Sequence, residues 1–193
     1  MDRPTKDEIN QLPIFVGLPV DKVEVVTTDK RAKQVLQILE EHVALGFDTE
    51  SKPVFVKGEV SDGPHLIQLS TLNNSYLFQT HFLDALTVIL PILQNPEIKK
   101  VGFGLTVDRK LLRKKFAVEL VNTEELSSSV MQHLNLKDKV GARLAVAMVL
   151  HQKLSKSAQK SNWSNITLTT KQILYASNDA YASLCVYNRL QQH

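Results

Sequence analysis

Five side chains suited to metal-assisted or acid–base chemistry lie in three separate segments of the sequence. Asp48 and Glu50 follow an apolar run, and residues two apart on an extended chain point the same way, so both carboxylates can face one point. Tyr175 and Asp179 are four positions apart on a predicted helix, which places the phenol beside the carboxylate. Asp108 follows a predicted strand and a tight turn, at the start of another helix. Carboxylate oxygens are hard ligands that favour Mg²⁺ or Mn²⁺ over softer metals.

Each of these three features also has an ordinary explanation. Asp-x-Glu is a common pattern, so Asp48 and Glu50 could be a turn aspartate and a surface glutamate. Asp179 could be a solvated carboxylate beside a half-buried Tyr175. Asp108 could stabilise the start of its helix through the helix dipole and the free backbone N–H groups. No single feature therefore identifies a function.

Other catalytic chemistries are disfavoured by the sequence. The six histidines have no zinc-ligand spacing, and the one cysteine, Cys185, lies in an apolar helical segment where a thiol is usually inert. Gly102 and Gly104 form Gly-x-Gly without the third glycine of a dinucleotide-binding motif. There is neither a Gly-x-Ser-x-Gly elbow nor a Walker loop. Acyl transfer and ATP hydrolysis are therefore not expected.

Length and composition indicate one folded domain. The chain has 193 residues, of which 43% are hydrophobic, enough for one sizeable core. The polar N-terminus does not resemble a signal peptide, and no apolar run reaches membrane-spanning length, so we expect no membrane association. We expect a cytoplasmic location, or a nuclear one in a eukaryote. A net charge of +3 is compatible with a polyanionic partner. We assign residues 1–20 to an N-terminal extension, loosely ordered over its first dozen residues, and 21–193 to the domain.

The pattern of apolar residues predicts an α/β fold. Strands and helices alternate early in the chain and helices dominate later, which is typical of a mixed sheet flanked by helices on both faces. The predicted strands are five in number: 43–47, 65–70, 75–78, 99–103 and 118–121. Helices are predicted to begin at Thr28 or Asp29 and near Asp108, and to span 82–93, 124–135, 141–152 and 170–190.

In their order along the chain, these segments resemble the DEDD exonuclease superfamily, in the tyrosine-bearing branch that includes ribonuclease D and the Werner syndrome protein exonuclease domain. The first motif is matched by residues 47–50, followed by a similar second strand at 63–70. The third is matched by Tyr175 and Asp179, and segments 154–157, 161–164 and 168–172 resemble the Werner-like approach to that helix. Because the resemblance covers Val23 to Leu190, we expect a stand-alone catalytic domain.

The resemblance implies a ribonuclease H-like fold and a 3′–5′ exonuclease that releases nucleoside 5′-monophosphates with two divalent cations, Mg²⁺ or Mn²⁺. By resemblance, Asp48 bridges the cations, Glu50 and Asp179 complete one site, and Asp108 supports the second. Tyr175 would orient the attacking water or help to deprotonate it. DNA is favoured as the substrate. An RNA-trimming exonuclease of ribonuclease D type and an inactive nucleic-acid-binding module are the alternatives.

Several further side chains are candidates for contacts with the nucleic acid. A basic cluster begins beside Asp108 and could follow the phosphate backbone, although it could equally be a solvated helix face. Aromatic and apolar side chains near the motifs could stack on or wedge against the terminal base, although packing in the core is an alternative for them. The candidates are Arg109, Lys110, Arg113, Phe47, Thr49, Leu66 and Trp163.

Overall fold

The computed structural model describes residues 3–54 and 61–192, and its centre is a mixed sheet. The six strands in the described residues are β1 (Val23–Val25), β2 (Ala44–Glu50), β3 (Leu66–Ser70), β4 (Ser75–Gln79), β5 (Lys99–Gly102) and β6 (Thr123–Glu125). Their order is β1-β4-β3-β2-β5-β6. Strands β2, β3 and β4 are antiparallel, and the remaining pairs are parallel. The predicted mixed sheet is confirmed, with β2 near its middle.

The sheet has six strands instead of the predicted five. Two of these six strands, β1 and β6, were not predicted. Strand β1 is a β-branched run too short to classify from sequence and pairs with β4, and β6 lies where a helix was predicted to begin. The last predicted strand, 118–121, is not part of the sheet. Val118 and Leu120 are buried, but the Val121 amide donates to the carbonyl of Leu93, which belongs to a helix earlier in the chain. Pairing with β5 begins only at Thr123.

Seven α-helices surround the sheet in the described residues. They are α1 (Lys6–Gln11), α2 (Asp29–Glu40), α3 (Leu83–Gln94), α4 (Leu105–Phe116), α5 (Leu126–His133), α6 (Ala142–Leu150) and α7 (Thr170–Leu190). Thr28 caps α2 as predicted, and a capping box of Thr169 and Gln172 begins α7. Contrary to expectation, the N-terminal extension contains a helix, α1, because Thr5 and Glu8 also form a capping box. Within the described ranges, no helix is both long and apolar enough to cross a membrane.

Helices cover both faces of the sheet, as predicted. On one face, α2, α3 and α4 pack against alternate residues of the central strands, including Leu45 and Phe47 of β2. On the other face, α5, α6 and α7 pack around Val101 of β5. Since side chains alternate along a strand, Gly46, Asp48 and Glu50 face the α7 side. The acidic end of β2 is therefore directed away from the larger core and towards the last helix.

A close backbone contact joins β2 to α7. A Cβ atom built on Gly46 would lie 2.0 Å from the carbonyl oxygen of Ala180 and 3.1 Å from Cβ of Leu184. Only a residue without a side chain allows this approach. Gly46 is two residues before Asp48, and Ala180 is next to Asp179. The contact therefore fixes the separation of two carboxylates that are distant in sequence.

Replacing Gly46 with alanine is expected to push α7 away from β2. The overpacked contact should lower the free energy of unfolding by about 1–3 kcal/mol. The matched control is Gly141→Ala, because a Cβ at Gly141 meets no atom within 4 Å, and its stability should change by less than about 1 kcal/mol. Urea denaturation of both variants measures the difference. Equal stabilities would show that the contact is not a tight constraint.

Candidate active site

Three carboxylates meet where the end of β2 faces α7. Asp48, Glu50 and Asp179 each offer one oxygen, and these oxygens all lie within 4.8 Å of one another. Asp48 and Glu50 share a face of β2, while Asp179 comes from the helix that packs on that face. The structure thus brings together the first and third predicted motifs.

The fourth predicted carboxylate, Asp108, lies beside this group but outside its closest contacts. It is buried in the first turn of α4, where it accepts a hydrogen bond from the Thr49 hydroxyl. Its charge contributes to raising the pKa of Asp48 and Glu50, so the four acids form one electrostatic unit. Glu125, not Asp108, caps this helix, because its carboxylate accepts from the amides of Gly104 and Leu105 at 3.0 and 2.9 Å.

Burial raises the pKa values of all four acids, and repulsion from neighbouring acids of the cluster adds to the effect at Asp48 and Glu50. Burial, followed by the charges of its three acidic neighbours, raises the pKa of Asp48 well above its ordinary value. Burial and the charges of Asp179 and Asp108 raise the pKa of Glu50 to about 9. Burial also raises the pKa of Asp108 to about 6 and that of Asp179 to about 7. Without a compensating cation, the cluster therefore holds protons near neutral pH.

Tyr175 lies on α7 one turn before Asp179 and is buried. Its hydroxyl hydrogen-bonds to the Asp179 carboxylate, and its ring centroid is 6.0 Å from that of Trp163. Burial and the nearby charges of Asp179 and Glu50 raise the pKa of the phenol far above its ordinary value. Tyr175 therefore remains protonated and acts as a hydrogen-bond donor towards the acidic cluster.

The acidic cluster opens into a cavity of about 410 Å³. Asp48, Tyr175 and Asp179 line one part of it, and the first turn of α6, including Arg143, lines another. The positive charge of Arg143 lowers the pKa of both Asp179 and Tyr175, against the larger effect of burial. Arg143 was not among the predicted site residues, because it does not belong to a basic run. Its signal is that it is the one cation inside the apolar stretch 142–150.

The donor set fits divalent cations. All candidate ligand atoms are carboxylate oxygens, which divalent cations of the Mg²⁺ and Mn²⁺ type prefer. Half-buried acids with raised pKa values also indicate negative charge that lacks compensation within the described protein. Asp48, Glu50 and Asp179 would hold a cation, with Asp108 close enough to support a second. A bound cation would neutralise the repulsion that raises these pKa values.

Three predicted nucleic-acid contacts are corrected by the structure. The side chains of Phe47, Leu66 and Trp163 are each 0% exposed. None of them is therefore accessible to a bound nucleic acid. Phe47 belongs to the core between the sheet and α2, while Leu66 and Trp163 pack with Tyr175. Their apolar and aromatic character reflects packing, which was the alternative. Trp163 supports the ring of Tyr175 instead of stacking on a base.

The remaining predicted contacts lie at or near the surface. Thr49 is half-buried and donates its hydroxyl hydrogen to Asp108. On α4, Arg109 donates to the Thr123 hydroxyl, Arg113 forms an ion pair of 2.9 Å with Glu119, and Lys110 is exposed. Thr49, Arg109 and Arg113 thus each have a partner within the described protein, and Lys110 is exposed.

The fold and the acidic cluster define the class of protein as a ribonuclease H-like α/β domain with a carboxylate site for metal ions. The model of the 3′–5′ exonuclease family matches residues 23–193. The chain belongs to this family, the DEDD superfamily of metal-dependent 3′–5′ exonucleases, as its motifs predicted.

Individual relatives agree with this assignment. The chain is 31% identical over 179 residues to the bifunctional 3′–5′ exonuclease and ATP-dependent helicase WRN of Mus musculus, covering 91% of this chain and 13% of that protein. It is 28% identical over 175 residues to a 3′–5′ exonuclease of Arabidopsis thaliana, covering 84% of this chain and 60% of the relative. The chain thus spans less than two thirds of the length of each.

Solved structures have the same fold. The EXO domain of Nibbler from Aedes aegypti has a TM-score of 0.78 at 22% identity, covering 92% of this chain and 90% of that one. Ribonuclease D of Trypanosoma brucei, solved in complex with RNA U12, has a TM-score of 0.79 at 17% identity, covering 97% of this chain and 65% of the other. The predicted ribonuclease H-like fold is confirmed.

Metal-free protein is expected to lose stability as pH rises. The folded state keeps a proton on Glu50 up to a pKa of about 9, whereas the unfolded chain releases it near 4.5. Between these values the folded state binds more protons, so the free energy of unfolding falls with increasing pH. In EDTA, the melting temperature should therefore decrease across this range.

Mn²⁺ should reverse the trend, because cation binding favours the ionised carboxylates. The control is Glu50→Gln, which keeps the shape of the side chain but removes its titration and should flatten the decrease in EDTA. Differential scanning calorimetry gives the melting temperature against pH for the wild type in EDTA, the wild type with Mn²⁺, and Glu50→Gln in EDTA. Identical pH profiles for the wild type and Glu50→Gln in EDTA would contradict the raised pKa of Glu50.

Proposed function

We propose that the protein removes nucleotides one at a time from the 3′ end of a nucleic acid, releases nucleoside 5′-monophosphates and favours DNA. The observation that carries the proposal is the meeting of Asp48, Glu50 and Asp179 within 4.8 Å at the end of β2. Such a cluster is suited to two Mg²⁺ or Mn²⁺ ions. These cations would supply charge stabilisation for the attacking and departing oxygens of a phosphodiester.

In this proposal the carboxylates would hold the cations, and Tyr175 would orient the attacking water. Asp48 would contribute to both cation sites, because it is central among the acids and its pKa responds to all three others. Glu50 and Asp179 would complete one site, and Asp108 would support the other. The protonated hydroxyl of Tyr175 would orient the attacking water by hydrogen bonding. Its raised pKa argues against its acting as a general base.

DNA is the substrate we favour because the motifs follow the Werner-like pattern from 154 to 172. The 31% identity to mouse WRN, over 91% of this chain, supports this preference. RNA is the second candidate, since that ribonuclease D was solved with RNA U12 and its fold is similar to this one. The 2′-hydroxyl is the group that distinguishes the two substrates.

Matched DNA and RNA oligonucleotides, labelled at either end in turn, test this function with Mn²⁺ or Mg²⁺ present. A 5′-labelled strand should shorten progressively, and a 3′-labelled strand should release labelled mononucleotide at once. Asp48→Ala and Asp179→Ala should abolish turnover while circular dichroism shows an intact fold, since each removes a ligand of the cation cluster. Shortening from the 5′ end, cutting of circular DNA, or substantial turnover by either variant would contradict the proposal. A higher kcat/KM on RNA than on DNA would show that RNA, and not DNA, is the favoured substrate.

Tyr175→Phe should slow the chemical step by roughly 10²-fold, the usual scale for losing a positioned acid–base group. The ring and its packing against Trp163 remain, so the affinity for Mn²⁺ should be nearly unchanged. The control is Tyr181→Phe, the same substitution on the same helix at a ring that packs against Phe15 outside the catalytic cavity. Single-turnover rates and Mn²⁺ titrations measure both effects. A wild-type rate for Tyr175→Phe would show that the hydroxyl has no role in the chemistry.

A further inference from the structure

The N-terminal extension packs on the domain although it precedes the part matched by the family model, which begins at residue 23. Its backbone pairs with Lys153, since the Phe15 amide donates to the Lys153 carbonyl at 2.9 Å and the Lys153 amide donates to Pro13 at 2.8 Å. Phe15 is 6% exposed, and its ring centroid is 6.0 Å from that of Tyr181. The extension is therefore held beside the segment that leads from α6 towards α7.

This packing forms a second cavity, of about 530 Å³, between α1 and the residues around α6. We call it the basic groove, because its lining includes the four cationic residues Lys6, Arg143, Lys153 and Lys156 and contains neither Asp nor Glu. Two of these cations bond to neutral groups, Lys153 to the carbonyl of Asn10 and Arg143 to the side-chain amide of Gln159 at 2.8 Å. Their positive charge is therefore not neutralised by these partners.

The basic groove lies next to the catalytic cavity. The two cavities share the lining residues Arg143, Leu144 and Leu154. Arg143 in particular lines the catalytic cavity together with Asp48 and Asp179 and also lines the groove. A chain of phosphates that leaves the cluster past Arg143 would enter a groove whose described lining carries positive charge and no carboxylate.

The chemistry of a 3′ end determines which part of a substrate could occupy the groove. The phosphate of the terminal linkage is the one cleaved, so every other phosphate of the strand lies on its 5′ side. Arg143 lines both the catalytic cavity and the groove, so it lies where a strand would pass from one to the other. Its guanidinium would pair with the phosphate next to the scissile one, and further phosphates would follow towards Lys6 and Lys156.

We infer that the basic groove binds the backbone of the substrate strand on the 5′ side of the scissile bond, so that the N-terminal extension forms one wall of the substrate-binding site. This inference rests on the proposed exonuclease function. It also differs from the contacts predicted on α4, where the charge of Arg113 is paired with Glu119. The groove takes a single strand of phosphodiester backbone and makes no use of base identity.

The test uses the double variant Lys6→Ala/Lys156→Ala, because both side chains are exposed and their loss should not disturb folding. The matched control is Lys30→Ala/Lys33→Ala, which removes two exposed cations from α2 on the other face of the sheet. Substrates are an unphosphorylated dinucleotide, whose one phosphate is the scissile one, and single strands of increasing length. Binding of 5′-fluorescein-labelled strands is measured by anisotropy in EDTA, so that affinity is read without turnover.

For the groove variant, we expect binding of long strands to weaken by about 5- to 20-fold at low salt. The slope of log affinity against log salt should also become smaller by about 0.7 for each lost phosphate contact. Turnover of the dinucleotide should be unchanged, and the α2 control should resemble the wild type in every assay. Arg143→Lys should retain part of the binding that Arg143→Ala loses.

Two results would overturn the inference while leaving the proposed function intact. In one, the groove variant binds long strands as tightly as the wild type. In the other, the α2 control loses affinity to the same extent, which would make the effect one of net charge. If the wild-type protein cleaved neither the dinucleotide nor a long strand, the proposed function itself would be rejected.

Discussion

The contact between Gly46 and Ala180 is the constraint on which the rest of the site depends. Two acids must lie a few ångströms apart although one is on a strand and the other on a helix. A side chain at residue 46 would separate the two elements, since its Cβ would lie 2.0 Å from the Ala180 carbonyl oxygen. Backbone packed directly on backbone leaves little freedom for Asp48 and Asp179 to move apart. Rigid elements hold such ligands more precisely than loops do.

The same contact forces the fold to bring negative charges together before any ligand is present. Burial and repulsion raise the pKa of Glu50 to about 9, so the cluster is formed at an electrostatic cost. The apolar packing behind it offsets that cost. Trp163 and Leu66 are fully buried next to Tyr175 and support the helix that carries Asp179. The electrostatic cost of the acidic cluster is thus offset by the well-packed residues beside it.

The acidic residues could be predicted because local spacings agreed with a family resemblance that covers most of the chain. Spacings of two on a strand and four on a helix determine shared faces, and the capping box at Thr169 and Gln172 fixes the start of α7. The fold class followed from the alternation of apolar segments. Strand β1 could not be classified, because three residues give too little pattern and its stability comes from pairing with β4.

Tertiary features were mispredicted or missed. Trp163 is of a residue type that often stacks on bases. It is completely buried because segments far away in the sequence pack around it. Arg143 lies in an apolar helix with no basic neighbours, and its position beside the acids comes from the packing of α6 on α7. The basic groove unites residues 6 and 156, which no local pattern connects.

The division of the acidic cluster between β2 and α7 also has a consequence for biosynthesis. A ribosome completes Asp48, Glu50 and Asp108 long before it reaches Asp179, and α7 must be whole before its small residues can cover Gly46. A partly made chain therefore carries only a fraction of its ligand set, exposed and without the helix that encloses it. The full set of candidate ligands is thus assembled only after α7 has docked on β2.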